Sequence, residues 1–160
     1  MSAPDRVELA LIGRQPPAVL EALGAEFTLH EVTSLDDVAG SLGPAAERIR
    51  GALSFPMIGL SAAMMDALPR LEIATLYGVG LERTDLAAAR ERGVVVTITP
   101  VLYEDVADTA VVLAMDVSRR ITSGDRWLRA GKWAGGGQAA SGRRFFGKRA
   151  GILGMGRIGR

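Results

Sequence analysis

Two glycine-containing segments of this chain have the residue types and spacing that bind anions through backbone N–H groups. One is Tyr77-Gly78-Val79-Gly80. The other is the final decapeptide, GILGMGRIGR, in which three glycines stand at G-x-G-x-x-G spacing after the apolar residues 150–153. In that spacing the first glycine permits a tight turn, the second admits a pyrophosphate to the backbone, and the third allows helix and strand to pack closely. The decapeptide therefore predicts the start of a dinucleotide-binding βαβ unit, with a glycine-rich turn as the alternative because 20 of 160 residues are glycine.

The Gly78–Gly80 segment follows a predicted strand and precedes a predicted helix. In open parallel α/β sheets, ligands bind at the carboxyl ends of the strands. Two glycines leave the backbone N–H groups there accessible, so the segment can form a nest for a carboxylate. A turn that needs glycine only for its φ angles explains the same residues equally well.

Other residues with chemical potential have simpler interpretations. His30, the single histidine, ends a predicted strand and has no carboxylate partner that the sequence identifies, so we interpret it as a surface residue. Glu82 and Asp85 are assigned to a loop and a helix cap. The absence of cysteine excludes disulfides and thiolate metal sites, and it fits a reducing compartment.

Alternating strand-like and helix-like segments must position the two glycine segments. Apolar or β-branched runs predict five strands, and amphipathic runs between them predict three helices and two weaker helical pieces. Helices between strands, without tight hairpin signals, indicate an α/β fold with a parallel sheet. The predicted strands are 7–12, 27–30, 49–54, 71–76 and 94–98; the helices are 18–23, 62–68 and 86–92, and the weaker pieces are 35–38 and 44–48.

Local signals set several of these boundaries. Gly24 and Pro69 are predicted to end the first and second helices. Ser61 is predicted to cap the helix at 62–68, and Thr84 or Asp85 the helix at 86–92.

After Pro100 the pattern becomes helical. Residues 105–120 predict one long helix that is apolar on two sides, which we expect to be buried between two bodies. A second amphipathic piece spans 125–130, and the glycine-rich residues 134–142 are expected to be a flexible connector.

Charge and hydropathy exclude several classes of partner. The formal net charge of +1 gives no electrostatic basis for nucleic acid or membrane-surface binding. The longest uncharged run, Gly51 to Met65, contains a proline and falls short of the roughly 20 apolar residues of a membrane helix. Asp5 and Glu8 interrupt the short apolar N-terminal run, which argues against a secretory leader. We therefore expect a cytoplasmic protein.

Three blocks of residues, in one order, carry a family resemblance. The first is Gly78-Val79-Gly80 followed by TDLAAARERG at 84–93; the second is Thr99-Pro100 followed by Val106-Ala107-Asp108; the third is RAGKW at 129–133 followed by the terminal glycines. Together they resemble the D-isomer-specific 2-hydroxyacid dehydrogenases, and within them the hydroxypyruvate, glyoxylate and hydroxyphenylpyruvate reductase branch. The resemblance covers residues 45 to 160.

The resemblance implies a two-domain enzyme. Residues 1–99 would form a flavodoxin-like parallel-sheet substrate domain, and residues 100–160 the interdomain helices with the first strand and glycine loop of an incomplete Rossmann NAD(P)-binding domain. The expected activity is NAD(P)H-dependent reduction of a small 2-keto acid such as glyoxylate or hydroxypyruvate, in the cleft between the domains. We expect NAD or NADP as cofactor and a homodimer for the full-length protein.

The resemblance also assigns site residues. Val79 and Gly80 would present their N–H groups to the substrate carboxylate, and Val106 and Thr109 would lie near the nicotinamide. The residues that would hold the pyrophosphate are Gly154, Met155, Gly156, Arg157 and Ile158. The arginine, glutamate and histidine that the family uses in catalysis lie beyond the glycine loop, so residues 1–160 are expected to contain no catalytic residue and to be inactive alone.

Two hypotheses follow for the chain as a whole. It is either the front portion of a working reductase or a truncated, non-catalytic fragment that associates with a full-length relative. In isolation, the strand at 150–153 would lack neighbours and the long helix would expose apolar surface, so we expect aggregation, oligomers or disorder after about residue 120.

Several positions depart from the family pattern. Glu82 replaces an aspartate, Thr84 an aliphatic residue and Ile98 an asparagine. Five residues separate Pro100 from Val106 where the family has six, which would rotate the start of the long helix.

Overall fold

The computed structural model describes residues 6–160. Asp5, which was used in the argument against a secretory leader, lies outside the described residues. Contacts divide the chain into two compact units. We call residues 6–100 the sheet unit and residues 101–160 the helical unit.

The sheet unit contains five parallel strands in the order β2-β1-β3-β4-β5. This order is that of flavodoxin-like sheets, which confirms the predicted α/β class. The strands are β1 (Glu8–Ile12), β2 (Thr28–Val32), β3 (Ile49–Ser54), β4 (Ile73–Leu76) and β5 (Val95–Ile98); the helices are α1 (Pro17–Glu26), α2 (Val38–Leu42), α3 (Ala62–Asp66) and α4 (Leu86–Glu91), with a 3₁₀ turn at Gly43–Ala45.

One face of the sheet forms the hydrophobic core with α2, α3 and α4. Alternate residues of β1 point to this face, as the pleat requires. In β3, a register irregularity opposite Glu8 and Leu9 brings both Ile49 and Ala52 to the same face. Burying these side chains removes apolar surface from water and provides the main stabilisation of the unit. The core includes Ala10, Ile12, Ile49, Ala52 and Ala74 from the strands and Val38, Leu42, Met65, Ala88 and Ala89 from the helices.

The opposite face is covered only in part, by α1. Between α1 and the sheet lies an apolar groove of about 350 Å³, lined among others by Leu23, Phe27, Leu53 and Ile73. Ile73 is 42% exposed, so the β4 end of this face is open to solvent within the described chain.

Two local features differ from the sequence predictions. Helix α1 continues through Gly24 to Glu26, because the Arg6 guanidinium donates hydrogen bonds to the carbonyls of Gly24 (3.1 Å) and Ala25 (2.7 Å) near the helix end. Helix α2 begins at Val38, where the helical piece at 35–38 was expected to end, because the Asp37 carboxylate accepts a hydrogen bond from Gly40 N at 2.8 Å and caps the following turn.

The caps predicted for α3 and α4 are confirmed. Ser61 Oγ accepts a hydrogen bond from Met64 N at 3.2 Å, and Asp85 Oδ1 accepts one from Ala88 N at 2.9 Å. Of the two candidates for α4, Asp85 is therefore the cap, and Thr84 is a buried residue before it.

The helical unit contains α5 (Tyr103–Arg119) and α6 (Ile121–Arg129). They meet at Arg120, which is left-handed at φ 56°. Thr122 stabilises the junction by donating backbone and side-chain hydrogen bonds to the Asp116 carboxylate, which lowers the pKa of that carboxyl. No residue of α5 is buried within the described chain, and Leu113 and Val117, one turn apart, are more than half exposed.

Residues 150–153 do not form the predicted strand. The prediction was wrong because an isolated strand has no neighbour to pair with its backbone N–H and C=O groups. No helix of the described part is both long and apolar enough to cross a membrane.

Candidate functional site

Two loops leave the carboxyl edge of the sheet side by side, one after β3 and one after β4. The β3 loop, residues 55–59, is a tight turn in which Ile58 N and Gly59 N donate to the Phe55 carbonyl at 3.0 and 2.7 Å. The buried Ser54 hydroxyl donates to the Gly59 carbonyl at 2.7 Å and fixes the end of the turn. This loop is therefore held by its own hydrogen bonds.

The β4 loop, Gly78-Val79-Gly80, packs directly against Pro56 of the β3 loop. A Cβ on Gly78 would lie 2.6 Å from Pro56 Cγ, and one on Gly80 would lie 3.2 Å from Pro56 Cβ. Gly78 also has a φ of 151°, which side chains disfavour. The first glycine of this segment is thus required both by its backbone angle and by the close approach of a rigid ring.

The hydrogen bonds of the β4 loop leave two donors free. Gly78 N donates to the Leu76 carbonyl at 2.8 Å, and the Gly78 carbonyl accepts from Thr99 N at 2.9 Å. Among residues 6–160, the N–H groups of Val79 and Gly80 donate no hydrogen bond. Two adjacent free N–H groups at the carboxyl edge of a parallel sheet can bind a carboxylate.

An aromatic pair and an acidic side chain lie close to this nest. Phe55 and Tyr77 make an edge-to-face contact with ring centroids 5.7 Å apart. Glu82 Oε2 lies 2.5 Å from the position that a Cβ on Gly80 would occupy. The nest therefore has a carboxylate of the chain itself beside it.

The terminal glycine segment belongs to the helical unit and has the features of an anion-binding turn. Gly154 has φ 96°, and a Cβ on Gly159 would collide with the Gly154 carbonyl. Within the described chain, the N–H groups of residues 154–158 donate no hydrogen bond. The first and third glycines are thus required by conformation and by close approach, and the free donors suit a pyrophosphate.

The remaining residues assigned to the cofactor lie on or beside α5. Val106 and Thr109 are three residues apart and exposed on this helix, so they share one face. Thr109 Oγ1 donates to the Asp105 carbonyl at 2.8 Å. Arg157 of the glycine segment donates to the Tyr103 hydroxyl at 2.8 Å and stacks over its ring at 5.0 Å, which joins the glycine segment to the start of α5.

The interpretation of His30 as lacking a carboxylate partner was wrong. His30 Nε2 lies 2.7 Å from Glu8 Oε2, and Arg48 Nε donates to Glu8 Oε1 at 2.6 Å. The hydrogen bond from Arg48 lowers the pKa of the Glu8 carboxyl, and the charges of Arg48 and His30 lower it further. Glu8 is the first residue of β1, so this cluster begins at the amino edge of the sheet, opposite the glycine loop.

The described residues show no candidate metal site. Across residues 6–160, no three His, Cys, Asp or Glu side chains are arranged to hold a metal ion.

Comparison with known proteins identifies the family. The profile of the D-isomer specific 2-hydroxyacid dehydrogenase catalytic domain matches residues 10–151. The chain belongs to this family.

Relatives of this 2-hydroxyacid dehydrogenase chain include two reductases. It is 43% identical over 144 residues to 2-ketogluconate reductase of Gluconobacter oxydans, covering 89% of this chain and 45% of the relative. It is 46% identical over 115 residues to hydroxyphenylpyruvate reductase of Plectranthus scutellarioides, covering 71% and 36% of the two chains. The chain thus spans about half or less of the length of these relatives.

The chain is also similar to solved structures of a dehydrogenase and a reductase. The 2-hydroxyacid dehydrogenase from Ketogulonicigenium vulgare Y25 matches with a TM-score of 0.84 and 44% identity, covering 96% of this chain and 49% of that one. An NADPH-dependent glyoxylate/hydroxypyruvate reductase from Sinorhizobium meliloti, in complex with NADP and malonate, matches with a TM-score of 0.83 and 35% identity, covering 97% and 48%.

Sequence reasoning missed three features of this dehydrogenase chain. Pro56 packs on the glycine loop, Glu82 reaches back to Gly80, and Glu8 pairs with His30. Only Glu82 gave a signal, as a departure from the family's aspartate; the other two contacts depend on which strands become neighbours.

Proposed function

We propose that this chain contributes the substrate-carboxylate site and the pyrophosphate loop of an NAD(P)H-dependent reductase of small 2-keto acids. The observation that carries the proposal is the pair of free N–H groups on Val79 and Gly80, at the carboxyl edge of the sheet of a chain that belongs to the 2-hydroxyacid dehydrogenases. A small 2-keto acid has a carboxylate of the size and charge that this pair accepts.

In this proposal, the substrate carboxylate receives hydrogen bonds from Val79 and Gly80, and Pro56 keeps the glycine backbone in place behind them. Fixing one end of the substrate orients its C2 carbonyl and lowers the entropic part of the barrier. The arginine, glutamate and histidine of the family's reaction would come from outside residues 1–160, so these residues alone bind without turning over substrate.

The cofactor would bind to the helical unit. Gly154, Met155, Gly156, Arg157 and Ile158 would hold the pyrophosphate, since the N–H groups of residues 154–158 are free and Gly154 has the backbone angle of a tight turn. Val106 and Thr109 would lie near the nicotinamide. When bound, the nicotinamide supplies the hydride that reduces C2. The similar reductase from Sinorhizobium meliloti is NADPH-dependent, which supports NADP as the cofactor.

The finer assignments complete the proposal. Residues 1–99 serve as the substrate domain and residues 100–160 as the beginning of the nucleotide domain. The full-length protein is a cytoplasmic homodimer, and the exposed apolar side chains of α5, such as Leu113 and Val117, support a contact with another protein surface.

Sequencing of the DNA downstream of codon 160 tests the catalytic part of the proposal. We expect the reading frame to continue and to encode the arginine, glutamate and histidine. The completed protein is then assayed with glyoxylate, hydroxypyruvate and hydroxyphenylpyruvate, each with NADH and NADPH. A stop codon without resumption of the frame would end the enzyme proposal and favour the non-catalytic fragment.

A further inference from the structure

The Glu82 carboxylate stands at the nest without a partner of its own. It makes no ion pair or hydrogen bond with any other residue of the range 6–160. Its side chain is exposed, and Oε2 lies 2.5 Å from where a Cβ on Gly80 would be. Because Gly80 has no side chain, the carboxylate can approach the backbone beside the two free N–H groups.

A ligand carboxylate on Val79 and Gly80 would therefore meet a second negative charge. Two unit charges about 4 Å apart in water repel by an energy equivalent to about a fivefold loss of affinity. Pro56, which borders the same Cβ position of Gly80, and the aromatic pair carry no charge to offset this repulsion.

A hydroxyl group on the ligand, close to its carboxylate, can offset the repulsion from Glu82. A carboxylate without partners is an acceptor of charge-assisted hydrogen bonds, which are stronger than neutral ones. A 2-keto acid with a hydroxyl on C3 can donate to Glu82, whereas its unsubstituted analogue only experiences the repulsion.

We propose that Glu82 is a specificity-determining residue that selects hydroxyl-bearing 2-keto acids over unsubstituted ones at the Val79–Gly80 nest. This inference rests on the proposed function, because it requires the ligand carboxylate to bind there.

The test uses the 160-residue chain labelled with ¹⁵N and titrated with pyruvate or hydroxypyruvate, which differ only in the C3 hydroxyl. Amide shifts of Val79 and Gly80 report binding, at physiological ionic strength so that distant charges are screened. We expect hydroxypyruvate to bind about tenfold more tightly than pyruvate to the unmodified chain, the effect of one hydrogen bond to a charged group.

Glu82→Gln should raise the affinity for pyruvate about fivefold and reduce the preference for hydroxypyruvate to about twofold. Glu82→Asp, which keeps the charge on a shorter side chain, should give an intermediate preference. Glu91→Gln makes the same change of net charge at the last residue of α4 and is the matched control, expected to leave both affinities unchanged.

The outcomes separate this inference from the proposed function. If Val79 and Gly80 respond but Glu82→Gln leaves the preference unchanged, or if Glu91→Gln reproduces its effect, the role of Glu82 is overturned and the carboxylate nest stands. If neither acid shifts these amides in any variant, both the nest and the role of Glu82 are refuted.

Discussion

Gly78→Ala should destabilise the sheet unit far more than the same change at Gly80, two residues away. At Gly78 the new Cβ would lie 2.6 Å from Pro56 Cγ and 3.0 Å from Pro56 Cδ, and the φ of 151° disfavours a side chain. The proline ring is rigid and cannot move away. Backbone strain of this kind costs about 1–3 kcal/mol, and overpacking against a fixed neighbour costs about 1–3 kcal/mol, so we expect a loss of about 3 kcal/mol for Gly78→Ala.

Two matched variants separate these causes. Gly93→Ala has a positive φ of 68° with open space around the new Cβ, so it should show strain alone, about 1 kcal/mol. At Gly80, Glu82 Oε2 is the end of a flexible side chain and can withdraw, whereas Pro56 Cβ would stay 3.2 Å from the new Cβ. Because that contact is only slightly too close, Gly80→Ala should cost about 1 kcal/mol or less.

Urea unfolding followed through the amide signals of β3 and β4 restricts the measurement to the sheet unit. With a slope of about 2 kcal/mol per molar urea, Gly78→Ala should lower the midpoint by about 1.5 M. Pro56→Ala removes Cγ and Cδ, so in that background the cost of Gly78→Ala should fall to the strain alone. An equal cost in both backgrounds would refute the packing argument.

Three further outcomes are expected. The pKa of Glu8 is lowered in the folded state, so its contribution to stability is present above the ordinary value of 4.5 and is lost as pH falls through the lower folded value. Glu8→Gln should therefore weaken the loss of stability at acid pH, measured by unfolding curves at several pH values. An unchanged loss of stability at acid pH would contradict the assignment. Asp85→Ala should destabilise the sheet unit by about 1 kcal/mol in urea through loss of the α4 cap, whereas Asp85→Asn should retain most of the stability. Replacing the exposed Leu113 and Val117 with lysine should reduce self-association of the chain, measured by sedimentation velocity. Ser118→Lys on the same helix is the control and should change self-association less. Unchanged association in the Leu113 and Val117 variant would show that this surface is not the cause.

Sequence alone predicted the elements whose causes are local. The bounds of β3 were predicted correctly because a short, mainly apolar stretch with a β-branched start is typical of a buried parallel strand. The Asp85 cap was predicted because its hydrogen bond spans only three residues.

The misses have long-range causes. Helix α1 passes through Gly24 because Arg6, 18 residues earlier, reaches its carbonyl. Glu8 meets His30 because the parallel register places His30 beside Ala10, on the same face as Glu8. Residues 150–153 read as a strand from composition, but a strand exists only with neighbours.

In the candidate site too, local features were predicted from the sequence and long-range contacts were not. The glycine loop was located from its own residues, and the assignment of Val79 and Gly80 to substrate stays a prediction. The packing of Pro56 on Gly78 follows from the adjacency of β3 and β4, which no local pattern contains.

The contact between Pro56 and Gly78 also has an evolutionary consequence. A protein lineage can gain a side chain at position 78 only after, or together with, the loss of the ring at position 56, so the two positions should change as a pair among related sequences. The order of the two substitutions would be constrained as well, since the glycine tolerates any neighbour while alanine does not. Residue 56 can therefore change first, and only then can position 78, in the loop that follows β4, accept a side chain.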